Sequence, residues 1–231
     1  MKDFLDKNKI EYKNINLYEQ SAVHRSFINE NPRFELGHNE RLEFLGDAVL
    51  ELIVTDFLYV KYPHAAEGDM TSYRSALVNA NTLSEVALKL NLNDYLKLSR
   101  GEAKETEITR ARMSILADTY EALLGAMYID IGYDACRKWV TKTLLISAED
   151  IVREGSYKDS KSQVQEKSQE KLQVTPTYKI INESGPDHDK VFIVGIYFDE
   201  KEIAKGEGKS KQLGEVDAAK NAIIKMGWDK L

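Results

Sequence analysis

Residues 39–60 read NERLEFLGDAVLELIVTDFLYV. Glu40, Glu43 and Asp47 fall at i, i+3 and i+7, the spacing of one stripe on a helix. The residues between and after them are apolar nearly all round, and such a helix is buried. Like charges three or four residues apart repel even when exposed, and burying unpaired carboxylates costs far more. The stretch therefore predicts a buried helix over 39–61 whose acids need a reason. A second stretch, ILADTYEALLGAMYI (115–129), repeats the pattern, with Asp118 and Glu121 at i, i+3 on another apolar helix. Two such helices facing one another make an all-oxygen site, the donor set taken by a hard cation such as Mg²⁺. The alternative is that Arg41, Arg74, Arg110 or Arg112 pairs with the acids. One acid pair alone favours ion pairing; two pairs on two apolar helices favour the metal. His24, His38 and His64 are scattered and do not compete for the role.

The 231 residues are 42 % hydrophobic, enough for a proper core in one large domain or two ordinary ones. LEFLGDAVLELIVTDFLYV, the longest apolar stretch, carries four acids, so no membrane span is expected. The first residues, MKDFLDKNKIEYKN, contain no apolar core of a signal peptide. Cys136 is the single cysteine, which excludes an internal disulfide and a thiolate zinc site. A cytoplasmic protein is expected. Residues 1–155 carry 19 Lys+Arg against 25 Asp+Glu, and residues 156–231 carry 13 against 13. Bulk charge does not advertise nucleic acid, so any basic patch must be local.

The pattern divides the chain. Residues 1–153 read as helical throughout, with helices expected at 2–9, 16–24, 39–61, 69–89, 92–95, 112–131 and 132–150, and with Asp69 as an N-cap. The polar stretch VREGSYKDSKSQ (152–163) marks a change, with a linker at 154–158. From 159 to 231 the reading is a helix over 160–172, three strands, and an amphipathic helix from QLGEVDAAKNAIIKMG. The fold class is an all-α domain followed by a small α-β-β-β-α domain.

NERLEFLGDAVLEL resembles the signature stretch of the ribonuclease III family. HRSF (24–27), EGDMTSYRSALVNANTL (67–83) and ILADTYEALLGA (115–126) resemble the other motifs of its catalytic domain, in family order. The resemblance implies that Glu43, Asp47, Asp118 and Glu121 hold the catalytic metal, Mg²⁺ with Mn²⁺ as a substitute, and that Asp47 and Glu121 are catalytic. It implies that Glu40 and Glu67 are secondary acids of the same valley. It further implies a homodimer in which Phe44 inserts into a socket on the other subunit. Phe44 lies about 40° around the helix from Glu40, beside the acids; ordinary core is the alternative. The run RGEAKETEITRARMS (100–114) departs from the family pattern, with Met113 where an acid is usual. Arg110, Arg112 and Ser114 are expected near the RNA backbone.

In the tail, Ser162, Gln165, Glu166 and Gln169 share one helix face and can meet 2′-hydroxyls and base edges in a shallow minor groove. GPDH (185–188) is a turn that would present His188. GEGKSK (206–211) is read as a glycine-rich turn entering a helix, where backbone N–H groups, Lys209, Ser210 and Lys211 can meet phosphates. Each feature alone has an ordinary structural explanation. Together they resemble the double-stranded-RNA-binding domain that follows the ribonuclease III domain in bacteria, with Gln212 and Gly214 where a lysine and an alanine are usual. The implied activity is Mg²⁺-dependent cleavage of both strands of double-stranded RNA, leaving 5′-phosphate and 3′-hydroxyl ends with short 3′ overhangs, in the processing of ribosomal RNA precursors and messages. Two rivals stand beside it. A non-cleaving duplex binder would have lost an acid, and a small-molecule phosphohydrolase would have no use for the tail.

Overall fold

The helix expected over 39–61 is present as Glu40–Lys61, and the rest of the first unit is arranged around it. The computed structural model describes residues 1–104, 107–150, 160–186 and 190–228. The chain divides into two compact units, Met1–Tyr157 and Lys158–Leu231. In the first, the described helices are α1 (Lys2–Asn8), α2 (Ile15–Ser21), α3 (Arg25–Glu30), α4 (Glu40–Lys61), α5 (Glu67–Val78), α6 (Ala80–Lys89), α7 (Arg100–Lys104), α8 (Arg110–Ile131) and α9 (Tyr133–Thr143). One core holds them together. It includes Leu50, Ile53 and Leu58 of α4, Leu116, Tyr120 and Leu123 of α8, and Phe4, Leu77, Leu83 and Trp139. No described helix is long and apolar enough to cross a membrane.

Several expected helices divide. The span 16–24 ends at Ser21, and α3 starts afresh because the His24 ring accepts the backbone N–H of Ser26 and caps it. The span 69–89 breaks at Asn79, whose backbone is extended (φ −74°, ψ 158°) and whose side chain accepts the N–H of Thr82 at 2.9 Å. Asp69 is no N-cap: α5 begins at Glu67 after Ala66, and Asp69 lies in its first turn. The span 132–150 is interrupted: the α-helix stops at Thr143, a 3₁₀ turn follows over Leu145–Ser147, and residues 148–150 are α-helical again. Residues 100–104, the start of the run RGEAKETEITRARMS for which no helix is expected, form α7. The linker at 154–158 lies outside the described residues.

The second unit is α10 (Ser160–Leu172), β1 (Pro176–Ser184), β2 (Val191–Phe198), β3 (Lys201–Gly208) and α11 (Lys211–Met226), the expected α-β-β-β-α order. The sheet is antiparallel in the order β1-β2-β3. Val164, Ile196, Phe198, Ile203, Ala218, Ala222 and Trp228 form its core. Gly206 and Gly208 are not in a turn but in β3. A Cβ on Gly206 would lie 2.0 Å from the Ala218 backbone N, and one on Gly208 would lie 2.4 Å from that of Gly214. The glycines let α11 lie directly on the strand. Gly214 has the same role from the helix side, since a Cβ there would lie 2.7 Å from Val194 Cγ2.

Candidate active site

Helices α4 and α8 cross with their backbones in contact. A Cβ on Gly46 would lie 1.8 Å from the Glu121 carbonyl oxygen, and one on Gly125 would lie 2.1 Å from that of Leu42. Only glycine permits that approach. The crossing lies one turn from the acids on each helix, so it brings the two acidic stripes face to face. Glu43, Asp118 and Glu121 each place a carboxylate oxygen within 4.8 Å of the others, half-buried. Asp47 is exposed at the rim of this group, and its charge acts on both Glu43 and Glu121.

The electrostatics of the cluster are those of unneutralised acids. Burial, followed by the charges of Asp118, Glu40 and Asp47, pushes Glu43 up to about 7. Burial, followed by Asp47, Asp118 and Glu43, pushes Glu121 up to about 8. Burial also raises Asp118, against an opposing contribution from His24. Among the described residues no basic side chain lies within ion-pair distance of Glu43, Asp118 or Glu121. Two of the arginines that could have paired with them, Arg74 and Arg112, have other partners. Arg74 donates to Thr55 Oγ1 at 3.1 Å. Arg112 is buried, donating to Asn93 Oδ1 at 3.3 Å and to the Glu102 carbonyl. Its expected place near RNA is therefore corrected: Arg112 anchors the start of α8. Three carboxylates with no protein cation fit a hard divalent ion, in the donor set it prefers.

The two secondary acids part company. Glu40 lies beside the cluster and adds to the field on Glu43, with Arg25 at 3.3 Å and His38 at 3.7 Å. Glu67 does not join it within one chain. It lines a hollow with Thr55, Tyr59 and Arg74, at the other end of α4, on the order of 20 Å along the helix from Glu43. A polar node includes His24, whose charge acts on Asp118. The Glu102 carboxylate accepts from Ser26 Oγ and from Ser99 Oγ (3.3 Å), and His24 Nδ1 lies 3.4 Å away. Burial pushes Glu102 up, but the Ser26 hydrogen bond and the His24 charge hold it below its ordinary value.

Phe44 is 80 % exposed, which excludes ordinary core within one chain. It heads an apolar stripe on α4 continued by Leu52 (58 %) and Tyr59 (72 %). Beside it opens a hollow of about 620 Å³ lined by Leu17, His38, Leu42, Leu45 and Ile129.

In the second unit, Ser162, Gln165, Glu166 and Gln169 are all exposed on α10, opposite the buried Ser160, Val164 and Ser168. Lys209 and Lys211 are exposed at the start of α11, and Lys211 Nζ stands 6.0 Å over the Phe192 ring. Ser210 is the N-cap: its side chain accepts the N–H of Leu213 at 3.2 Å. His188 lies outside the described residues. The pattern reading missed Gly46, Gly125 and Glu102. The glycines carried a signal, since a glycine inside an apolar helix marks close approach. Glu102 carried none, because its partners Ser26 and His24 come from a distant part of the chain.

Residues 14–148 match the sequence model of the Ribonuclease-III-like family, and residues 160–226 match that of the double-stranded RNA binding motif. The chain is 43 % identical to Ribonuclease 3 of Dehalococcoides mccartyi, over 93 % of this chain and 90 % of the relative. It is 41 % identical to Ribonuclease 3 of Borreliella burgdorferi, over 96 % and 90 %. Among solved structures, it is similar to the nuclease domain of ribonuclease III from Campylobacter jejuni, a structure described for flexibility in its dimer-forming region. The TM-score is 0.52 at 33 % identity, covering 61 % of this chain and 95 % of that one.

Proposed function

The chain belongs to the ribonuclease III family and is an endoribonuclease with a double-stranded-RNA-binding domain; from that premise we propose that Glu43, Asp47, Asp118 and Glu121 hold Mg²⁺ and cleave duplex RNA with it. The observation that carries the proposal is the meeting of Glu43, Asp118 and Glu121 with no protein cation among the described residues. When bound, the ion supplies charge neutralisation at the scissile phosphate and lowers the pKa of water; Mn²⁺ is an equivalent hard ion.

The protein's own part is positional. Asp47 and Glu121 stand on opposite helices of one crossing, so they address the phosphate from two sides. Water attacks phosphorus and the P–O3′ bond breaks, so the phosphate stays on the 5′ end and a 3′-hydroxyl is released. Glu40 is held at the rim by Arg25 and His38 as a secondary acid. Glu67, remote within one chain, reaches a valley only if a second subunit brings it there. The exposed Phe44 stripe and the adjoining hollow supply a surface for that homodimer. Two sites in one dimer would cut the two strands at offset positions and leave short 3′ overhangs. Ser162, Gln165, Glu166 and Gln169, with Lys209, Lys211 and the Ser210-capped N-terminus of α11, form the duplex-binding face. His188 belongs to the same proposal. The substrates are ribosomal RNA precursors and structured messages in the cytoplasm.

Incubation of the protein with a long duplex RNA in Mg²⁺ or EDTA tests the reading, with Glu121→Gln as the control. Cleavage is expected only in Mg²⁺, and the variant is expected to bind RNA without cutting. Turnover by Glu121→Gln within tenfold of the parent (about 1.4 kcal/mol) would refute the site.

A further inference from the structure

A second hollow, of about 620 Å³, lies between the last turns of α4 and helix α9. It is on the opposite side of α4 from Phe44, with Ile53 about 180° around the helix, and on the order of 20 Å along α4 from the acids. Its volume is in the range of small-molecule sites. Ile53, Phe57, Val60 and Leu145 make an apolar floor, and Val60 is 71 % exposed. The rim is basic, although residues 1–155 carry six more acids than bases. Lys61 is paired with Glu149, and Arg137 is loosely paired with Asp134 at 3.9 Å. Lys138 and Lys142, at i, i+4 on α9, have no ion-pair partner among the described residues. Like charges at that spacing repel, so the pair is an uncompensated charge feature above an apolar floor. Asp56 stands on the same rim, and it too has no ion-pair partner among the described residues.

We propose that this hollow is a binding site for a free nucleoside polyphosphate. Lys138 and Lys142, with Arg137, meet the phosphates. The base lies on Phe57, Ile53 and Val60. Asp56 accepts hydrogen bonds from ribose hydroxyls or base amino groups. The lone acid is what selects this occupant. A fatty acid would use the floor and the cations but offers Asp56 no hydrogen-bond donor, whereas a nucleoside brings hydroxyl and amino donors. A duplex RNA would use the cations but has its bases stacked and paired, with none to place on an apolar floor. The site is separate from the nuclease centre and goes beyond the cleavage reading.

Isothermal titration of the full chain in EDTA with ATP, GTP, CTP and UTP tests the proposal, with inorganic phosphate and a duplex RNA as parallel arms. At least one nucleotide is expected to bind one per chain with a submillimolar Kd. Combined Lys138→Glu and Lys142→Glu should weaken it about tenfold or more. Asp56→Ala should weaken the nucleotide but not inorganic phosphate. All variants should cleave duplex RNA in Mg²⁺ at the parent rate, which shows that they fold. Saturation by none of the four nucleotides in the millimolar range would overturn the site, as would unchanged binding by the double variant. Phosphate binding as tight as the nucleotide would reduce the rim to a plain anion patch and refute the proposal. Displacement of the nucleotide by duplex RNA would make it an RNA surface, and refute it equally.

Discussion

Glu121 concentrates the charge problem of the site, because burial and the neighbouring acids Asp47, Asp118, Glu43 and Glu51 all oppose its ionisation. A carboxyl titrating at about 8 is mostly protonated at pH 7, and a cation takes the carboxylate. Binding of Mg²⁺ at pH 7 should therefore expel about one proton per chain, measurable by pH-stat in weak buffer. Affinity should strengthen between pH 6 and 8, by up to about tenfold per unit for each proton released, and level off above that. Release of no proton would mean that the acids do not hold the ion. Without metal the same groups work against the fold. Glu43 and Glu121 titrate at about 7 and 8 when folded, against an ordinary 4.5. Their contribution to stability is full below about 4.5 and is lost as pH rises through 7 and 8, because the unfolded chain gives up those protons first. The acids were legible in the sequence because like charge on an apolar helix is costly and needs an explanation. Arg112 was misread for the opposite reason. A cation near acids in a polar run looks RNA-facing, and its burial depends on Asn93 and Glu102, which no local pattern connects to it.

At the scale of elements, the site is a property of the α4–α8 crossing. Gly46→Ala puts a methyl group where the Glu121 backbone now lies. That backbone cannot rotate away as a side chain could, so the helices must separate. A loss of about 1–3 kcal/mol or more is expected from overpacking, read by urea denaturation. Cleavage should fall further than stability, because the same displacement parts the carboxylates. Parent-like stability and turnover would show that the crossing is looser than the structure has it. Periodicity predicted both helices but not their contact, since a hydrophobic stripe says which face is buried and not how near the partner comes. The same limit applies in the second unit. Gly206 and Gly208 were read as turn residues from composition, and they lie in β3 because α11 packs directly on them. Asn79 divides α5 from α6 through its own cap, a signal that the surrounding apolar pattern hid.

At the scale of the whole molecule, two questions remain: what covers Phe44, and what the second unit contributes. If Phe44 anchors a homodimer, Phe44→Ala should weaken association by about 2 kcal/mol or more, as interface anchors do. Sedimentation across a dilution series checks this, and identical dimer fractions in parent and variant would return the stripe to plain surface. The second unit has a core of its own that shares no residue with the first, so deleting residues 158–231 should leave a folded nuclease unit. Glu43, Asp118 and Glu121 all lie in that unit, so the truncated protein should still cut duplex RNA. It should do so only at low salt. The phosphate contacts proposed for the tail would weaken steeply as salt rises through counterion release, while the acids of the nuclease unit repel phosphate until a divalent ion neutralises them. The tail is charge-balanced, with 13 bases against 13 acids in residues 156–231. It has Gln212 in place of a usual lysine and no arginine, so its contribution should be smaller than that of a fully basic relative. Cleavage assays of full-length and truncated protein at low and physiological salt decide the matter. A truncated protein that is inactive at low salt though folded by circular dichroism would place part of the chemistry in the tail. One that is fully active at physiological salt would leave the tail no role in holding the duplex.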